Sequence, residues 1–136
     1  MTEELDRDLK KWKVELEEAW RHIPKVFRSD RAVHGTLQCH LYGIFQELGF
    51  RTVADYMPPR IADKPVDIIA VNQENEIVYA LCLDNLVTLA AVKSLNSFAA
   101  VNKIILTMGP LEKKVQESRF FLNEEITHVH LKPFER

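Results

Sequence analysis

The chain has 136 residues, 46% hydrophobic and 28% charged, enough for one domain whose core buries roughly 68% of the unfolded surface without staples or a structural metal. Eighteen Lys and Arg against twenty Asp and Glu give a formal net charge of -2, which argues against a purely electrostatic nucleic-acid binder but leaves room for a local basic patch. Only two cysteines occur, Cys39 and Cys82, far apart in the chain, which argues against a disulfide framework or a Cys-rich zinc site. Both read as buried small hydrophobes in a reducing, cytoplasmic setting.

The N-terminal stretch MTEELDRDLKKWK is charged and has no signal-peptide-like apolar run. No stretch approaches the roughly 18 apolar residues of a membrane span, so no membrane partner is expected. In the first helix Leu5, Leu9, Trp12, Leu16, Ala19, Trp20 and Ile23 recur at three- and four-residue steps. Thr2 is placed to cap it and Pro24 ends it. Its stripe either packs into the core or docks on a second copy. A second helix spans about Asp30 to Leu48, with Leu37, Leu41, Ile44 and Leu48 on one stripe, Ser29 or Asp30 as N-cap, and Gly49 just past its end.

RTVADYM, residues 51–57, alternates as a strand and stops at Pro58-Pro59, before the loop PPRIADK. Val66 to Val71 and Glu76 to Leu83 form two apolar strands joined by a turn at Asn72-Gln73-Glu74-Asn75. The second is apolar on both faces and reads as a central strand covered on either side. A helix follows from Asn85, then a buried strand from Lys103 to Met108, a short helix from Leu111 to Phe121 and a last strand from Glu125 to Leu131. The order α-α-β-β-β-α-β-α-β predicts an α/β single domain, residues 1–136, with a mixed central sheet between helical layers. Residues 1–24 form the leading helix, and 30–132 the core.

Within this order, Asp67 in Lys64-Pro65-Val66-Asp67-Ile68-Ile69-Ala70, followed by a buried strand, resembles the core of the PD-(D/E)xK nuclease superfamily. KIILTMGP, the short helix and EITHVHL look like the closing β-α-β of its archaeal Holliday-junction-resolvase and Mrr-type members. The resemblance implies a restriction-endonuclease-like, three-layer α/β/α fold. It also implies a site where one aspartate and an acid-x-lysine bind Mg2+ or Mn2+ and activate water against a phosphodiester. Hard oxygen ligands suit magnesium, and a lysine offsets charge developing on the phosphate. Asp67 fits the aspartate, and a carboxylate in the middle of an apolar run needs a partner or a role.

The acid-x-lysine triplet falls on Cys82-Leu83-Asp84, a thiol where the acid belongs and a carboxylate where the lysine belongs. Residues 82 and 84 share a strand face, so the geometry survives without the chemistry. The family's helix glutamate corresponds in position to Gln38. If the site is active, Asp67, Asp84 and Asp55 are its metal candidates, with Lys93 as a migrated lysine. Otherwise Asp84 opens the turn into the next helix, Lys93 lies on a solvated helix face and Asp55 is a strand-edge acid.

Arg21, Lys25, Arg28 and Arg31, with His22, cluster between the first two helices, either as a phosphate-contacting patch or as a solvated loop. His128 and His130 share a strand face, and His34 and His40 are too far round their helix to act together. The leading expectation is a restriction-endonuclease-like protein with a decayed site that binds DNA or a protein partner without cutting. An active Mg-dependent nuclease with a rearranged site and a homodimeric scaffold built on the first helix are the alternatives.

Overall fold

The structure is a computed structural model describing residues 3–59 and 64–134. Four α-helices and five strands follow one another as α1 (Glu3–His22), α2 (Asp30–Glu47), β1 (Arg51–Tyr56), β2 (Val66–Val71), β3 (Ile77–Asp84), α3 (Leu89–Asn96), β4 (Asn102–Thr107), α4 (Glu112–Ser118) and β5 (Ile126–His130). The expected order of nine elements is the observed one. The strands form one mixed sheet in the order β1-β2-β3-β4-β5, antiparallel from β1 to β3 and parallel from β3 to β5. A hairpin meander thus runs into a β-α-β-α-β continuation, and β3 is the central strand.

Helices cover both faces. On one side Leu5, Leu9, Trp12 and Leu16 of α1 and Val33, Leu37, Leu41 and Phe45 of α2 pack on Ile68, Leu81, Leu83 and Ile104. On the other, Ala91, Val92 and Leu95 of α3 cover Val66, Ile69, Cys82 and Ile105. Helices α1, α2 and α3 each bury one stripe at helical spacing, and apolar burial of this kind contributes about 25 cal/mol per Å2. Trp12 is 4% exposed and meets Phe45 and Tyr79 edge to face at 5.1 and 5.3 Å. The α1 stripe from Leu5 to Leu16 is therefore packed in this domain's own core. On α2 the buried stripe ends at Phe45, and Leu48, expected inside, is 56% exposed because it caps the helix at the surface.

Local signals explain most boundaries. Ser29, not Asp30, caps α2, its Oγ accepting the Ala32 N–H at 3.1 Å. Gly49 adopts φ +91 just past α2, while the Phe50 N–H returns to the Phe45 carbonyl, a Schellman-type closure. At the other end of α1, Arg28 donates to the carbonyls of Ile23 and Arg21 at 2.8 and 3.0 Å and so closes the helix C-terminus. The turn of residues 72–75 is held by Asn72 Oδ1, which accepts the N–H groups of Glu74 and Glu76. Thr2, expected to cap α1, and Arg60 to Asp63 of the expected loop lie outside the described residues.

Two expectations need correction. The third helix begins at Leu89, with Thr88 as cap, and not at Asn85. The carbonyls of Asp84 and Asn85 instead accept the backbone N–H groups of Met108 and Gly109 at 2.8 and 2.9 Å, and the chain bends there before the helix. Gly109 is required there, since a Cβ would lie 2.6 Å from the Asn85 carbonyl oxygen. Cys39 is exposed on the outer face of α2, between the inward-facing Leu37 and Leu41, whereas Cys82 is buried.

Candidate functional site

The alternation of β2 breaks at Asp67. Ile68 and Ala70 belong to the α1–α2 core, but Val66 and Ile69 both belong to the α3 core, so the strand rotates at the aspartate. The β2–β3 pairing stops at Ile68 and Leu81, which leaves the Leu83 N–H beyond that ladder. The carboxylate of Asp67 fills that place: Oδ2 accepts the Leu83 N–H at 2.6 Å. Oδ1 accepts from Nε2 of His34, one turn into α2, at 2.7 Å. Asp67 is 1% exposed, so these two bonds are what make its burial tolerable.

His34 responds to its partner. The hydrogen bond to Asp67 and then the Asp67 charge raise its pKa above the ordinary 6.5, against the opposing effects of burial and the Lys64 ammonium. Four residues along the same face of α2, the Gln38 amide nitrogen donates to Asp55 Oδ1 and to the Asp67 carbonyl, both at 3.0 Å. Since both partners are acceptors, Gln38 turns its nitrogen and not its oxygen toward the site. Asp55, opposite Asp67 on the edge strand, takes a left-handed backbone with φ +56, a conformation that aspartate tolerates better than most residues.

Asp84 ends β3. Its Oδ1 accepts the Asn85 N–H at 3.0 Å, and its Oδ2 accepts from the Thr88 hydroxyl at 3.3 Å and lies 3.4 Å from Nζ of Lys64. Lys64 is in turn fixed by its carbonyl, which accepts from the buried Ser94 hydroxyl at 2.6 Å. Together Asp30, Arg31, His34, Lys64, Asp84 and Asn85 surround a cleft of about 290 Å3. The cleft lies at the carboxyl ends of the strands and beside the first turn of α2, a place where helix N–H groups favour anions.

The structure brings Asp67, Gln38, Asp55, Cys82 and Asp84 to this region and leaves others outside it. Lys93 is exposed on α3 and does not line the cleft; Lys64 does. Of the four cations around the α1–α2 junction, Arg31 lines the cleft and Lys25 is exposed. Arg28 closes α1, and Arg21 donates to the Pro133 carbonyl at 2.8 Å. His34 and Lys64 are the two contributors that sequence reasoning missed. The four-residue step from His34 to Gln38 was the available signal for the first; nothing near Lys64 distinguished it from a loop lysine.

Magnesium fits these donors poorly. Asp67 has both oxygens engaged within the protein, one of them by an imidazole whose charged form the site favours. Cys82 is a soft donor, and burial, then the Asp67 charge, push its thiol up to about 12, so it stays protonated. Among the described residues, no group of three His, Cys, Asp or Glu is arranged to hold a metal ion. His128 and His130 form a separate cluster: Nε2 of one and Nδ1 of the other both lie 2.8 Å from the Thr107 hydroxyl.

Comparison with known proteins gives no match, whether to a family model, a curated protein or a solved structure.

Proposed function

We propose that this protein is a non-cleaving relative of the restriction-endonuclease-like nucleases that binds DNA, holding a backbone phosphate in the cleft of Arg31, His34 and Lys64. The observation that carries the reading is the engagement of Asp67 by His34 and the Leu83 N–H. The carboxylate that would serve a nuclease as metal ligand serves here to orient a histidine beside two cations. Three further features support it. The strand order, with a meander followed by parallel strands, suits the nuclease core; Cys82 and Asp84 replace the acid and the lysine; and Gln38 replaces the helix glutamate.

Binding by such a cleft is local, which agrees with a net charge of -2 on the whole chain. Arg31 and Lys64 supply positive charge from α2 and from the segment before β2, beside the Asp30 and Asp84 carboxylates that also line the cleft, and the α2 N-terminus adds its partial positive charge. Lys64 rather than Lys93 is the lysine that a rearranged, active nuclease would use, and cleavage is accordingly an outcome to be measured.

The test is fluorescence anisotropy with a labelled single-stranded DNA, comparing wild type with Arg31→Ala and Lys64→Ala over a range of salt. Each truncation is expected to weaken binding and to reduce the slope of log affinity against log salt by about 0.7, one phosphate contact on a single strand. Unchanged affinity and slope in both variants would overturn the proposal.

A further inference from the structure

A second cavity, of about 310 Å3, adjoins the cleft. Trp20, Pro110, Pro133 and Phe134 give it flat apolar walls, and Met108, at the end of β4, lines both this cavity and the cleft. Its size is at the lower limit of the roughly 300–1,000 Å3 usual for small-molecule sites.

The walls are braced before any ligand arrives. Glu17, 9% exposed, accepts the Lys132 N–H at 2.6 Å, and Arg21 holds the Pro133 carbonyl. The Arg28 guanidinium lies 4.7 Å over the Phe134 ring, whose edge-to-face partner is Trp20 at 6.1 Å. Glu112 and Lys132, paired at 2.6 Å, add a carboxylate and an ammonium to the lining. An apolar slot edged by the Glu112–Lys132 pair and His130, next to a cleft where Arg31, His34 and Lys64 stand beside Asp30 and Asp84, is complementary to a ligand carrying a flat heteroaromatic ring beside an anion.

We propose that this cavity takes an unpaired base of the DNA strand whose phosphate occupies the cleft, so that the protein recognises single-stranded or distorted DNA. The inference rests on the phosphate-binding reading of the cleft. Stacking on aromatic side chains accepts any base, because every base has a π face, and it requires that the base be out of a duplex stack. The walls that would stack the base lie between the end of α1 and the segment after β5.

The experiment compares a labelled oligothymidine with an oligonucleotide of equal length made of abasic sites, which has the same phosphates and no bases. Oligothymidine is expected to bind about five- to tenfold more tightly, and Phe134→Ala to abolish that preference. Phe134 is 53% exposed, so the variant should fold. A second readout needs no variant. Trp12 is buried in the core, so quenching of tryptophan fluorescence reports on Trp20, and oligothymidine but not the abasic strand is expected to quench it. Equal affinities without quenching overturn the base site and leave the phosphate cleft standing. Binding of neither strand overturns both.

Discussion

Asp67 is the residue whose replacement is most informative, because its two hydrogen bonds separate a structural task from an electrostatic one. Asp67→Leu leaves the Leu83 N–H without an acceptor inside the sheet and His34 without its partner. Breaking a buried pair of this kind costs about 3–5 kcal/mol, and the exposed side of His34 places the value toward the lower end. Asp67→Asn keeps the shape and one carbonyl oxygen for Leu83, but exchanges charge-assisted bonds for neutral ones, for an expected loss of about 1–2 kcal/mol. The asparagine variant also carries a pH signature. His34 has its folded pKa raised above 6.5, so the stability it contributes is fully present below 6.5 and is lost as pH rises through the raised value. Urea unfolding followed by tryptophan fluorescence should therefore show a larger penalty for Asp67→Asn at pH 6 than at pH 9. A penalty independent of pH, or an Asp67→Leu variant within about 0.5 kcal/mol of wild type, would refute this reasoning.

The histidine pair on β5 has the opposite sign. Burial, then Arg119 and His130, lower His128 to about 4, so its contribution is present above 6.5 and is lost as pH falls toward 4, about 1–2 kcal/mol after discounting for solvent screening. Thermal melts from pH 7 to pH 4 should show that decline, and Thr107→Val, which removes the shared hydroxyl, should lower the melting temperature at pH 7. Native protein treated with iodoacetamide at pH 7.5 should be alkylated at Cys39 alone, with Cys82 reacting only after unfolding; mass spectrometry of each state decides. Trp12→Glu should unfold the domain rather than dissociate a dimer, because it removes about 3–5 kcal/mol of packing and buries a carboxylate. A folded variant by circular dichroism would contradict this.

The element order was legible because each segment carries its own period and its own stops: Ser29 and Gly49 around α2, the Asn72–Asn75 turn, and the apolar runs of β2 and β3. The start of α3 was not, because the segment before it is held by partners far along the chain: Met108 and Gly109 donate to the Asp84 and Asn85 carbonyls, and the Ser118 hydroxyl accepts the Val87 N–H. Asp67 was visible as a carboxylate in an apolar run. Its partners were not: His34 meets it only once α2 lies across the end of β2, and Lys64 reaches Asp84 only once the segment before β2 is tied to Ser94. Arg21 and Arg28 looked like free surface charge because their acceptors are main-chain carbonyls, which leave no mark in a sequence.

The most direct measurement follows one end-labelled DNA strand, incubated with magnesium or manganese, for binding and for integrity in the same sample, with wild type beside Asp67→Asn. Salt-sensitive binding by wild type with the strand left intact is the expected result. Cleavage by wild type that disappears in Asp67→Asn would contradict the non-cleaving assignment and make Asp67 a working metal ligand.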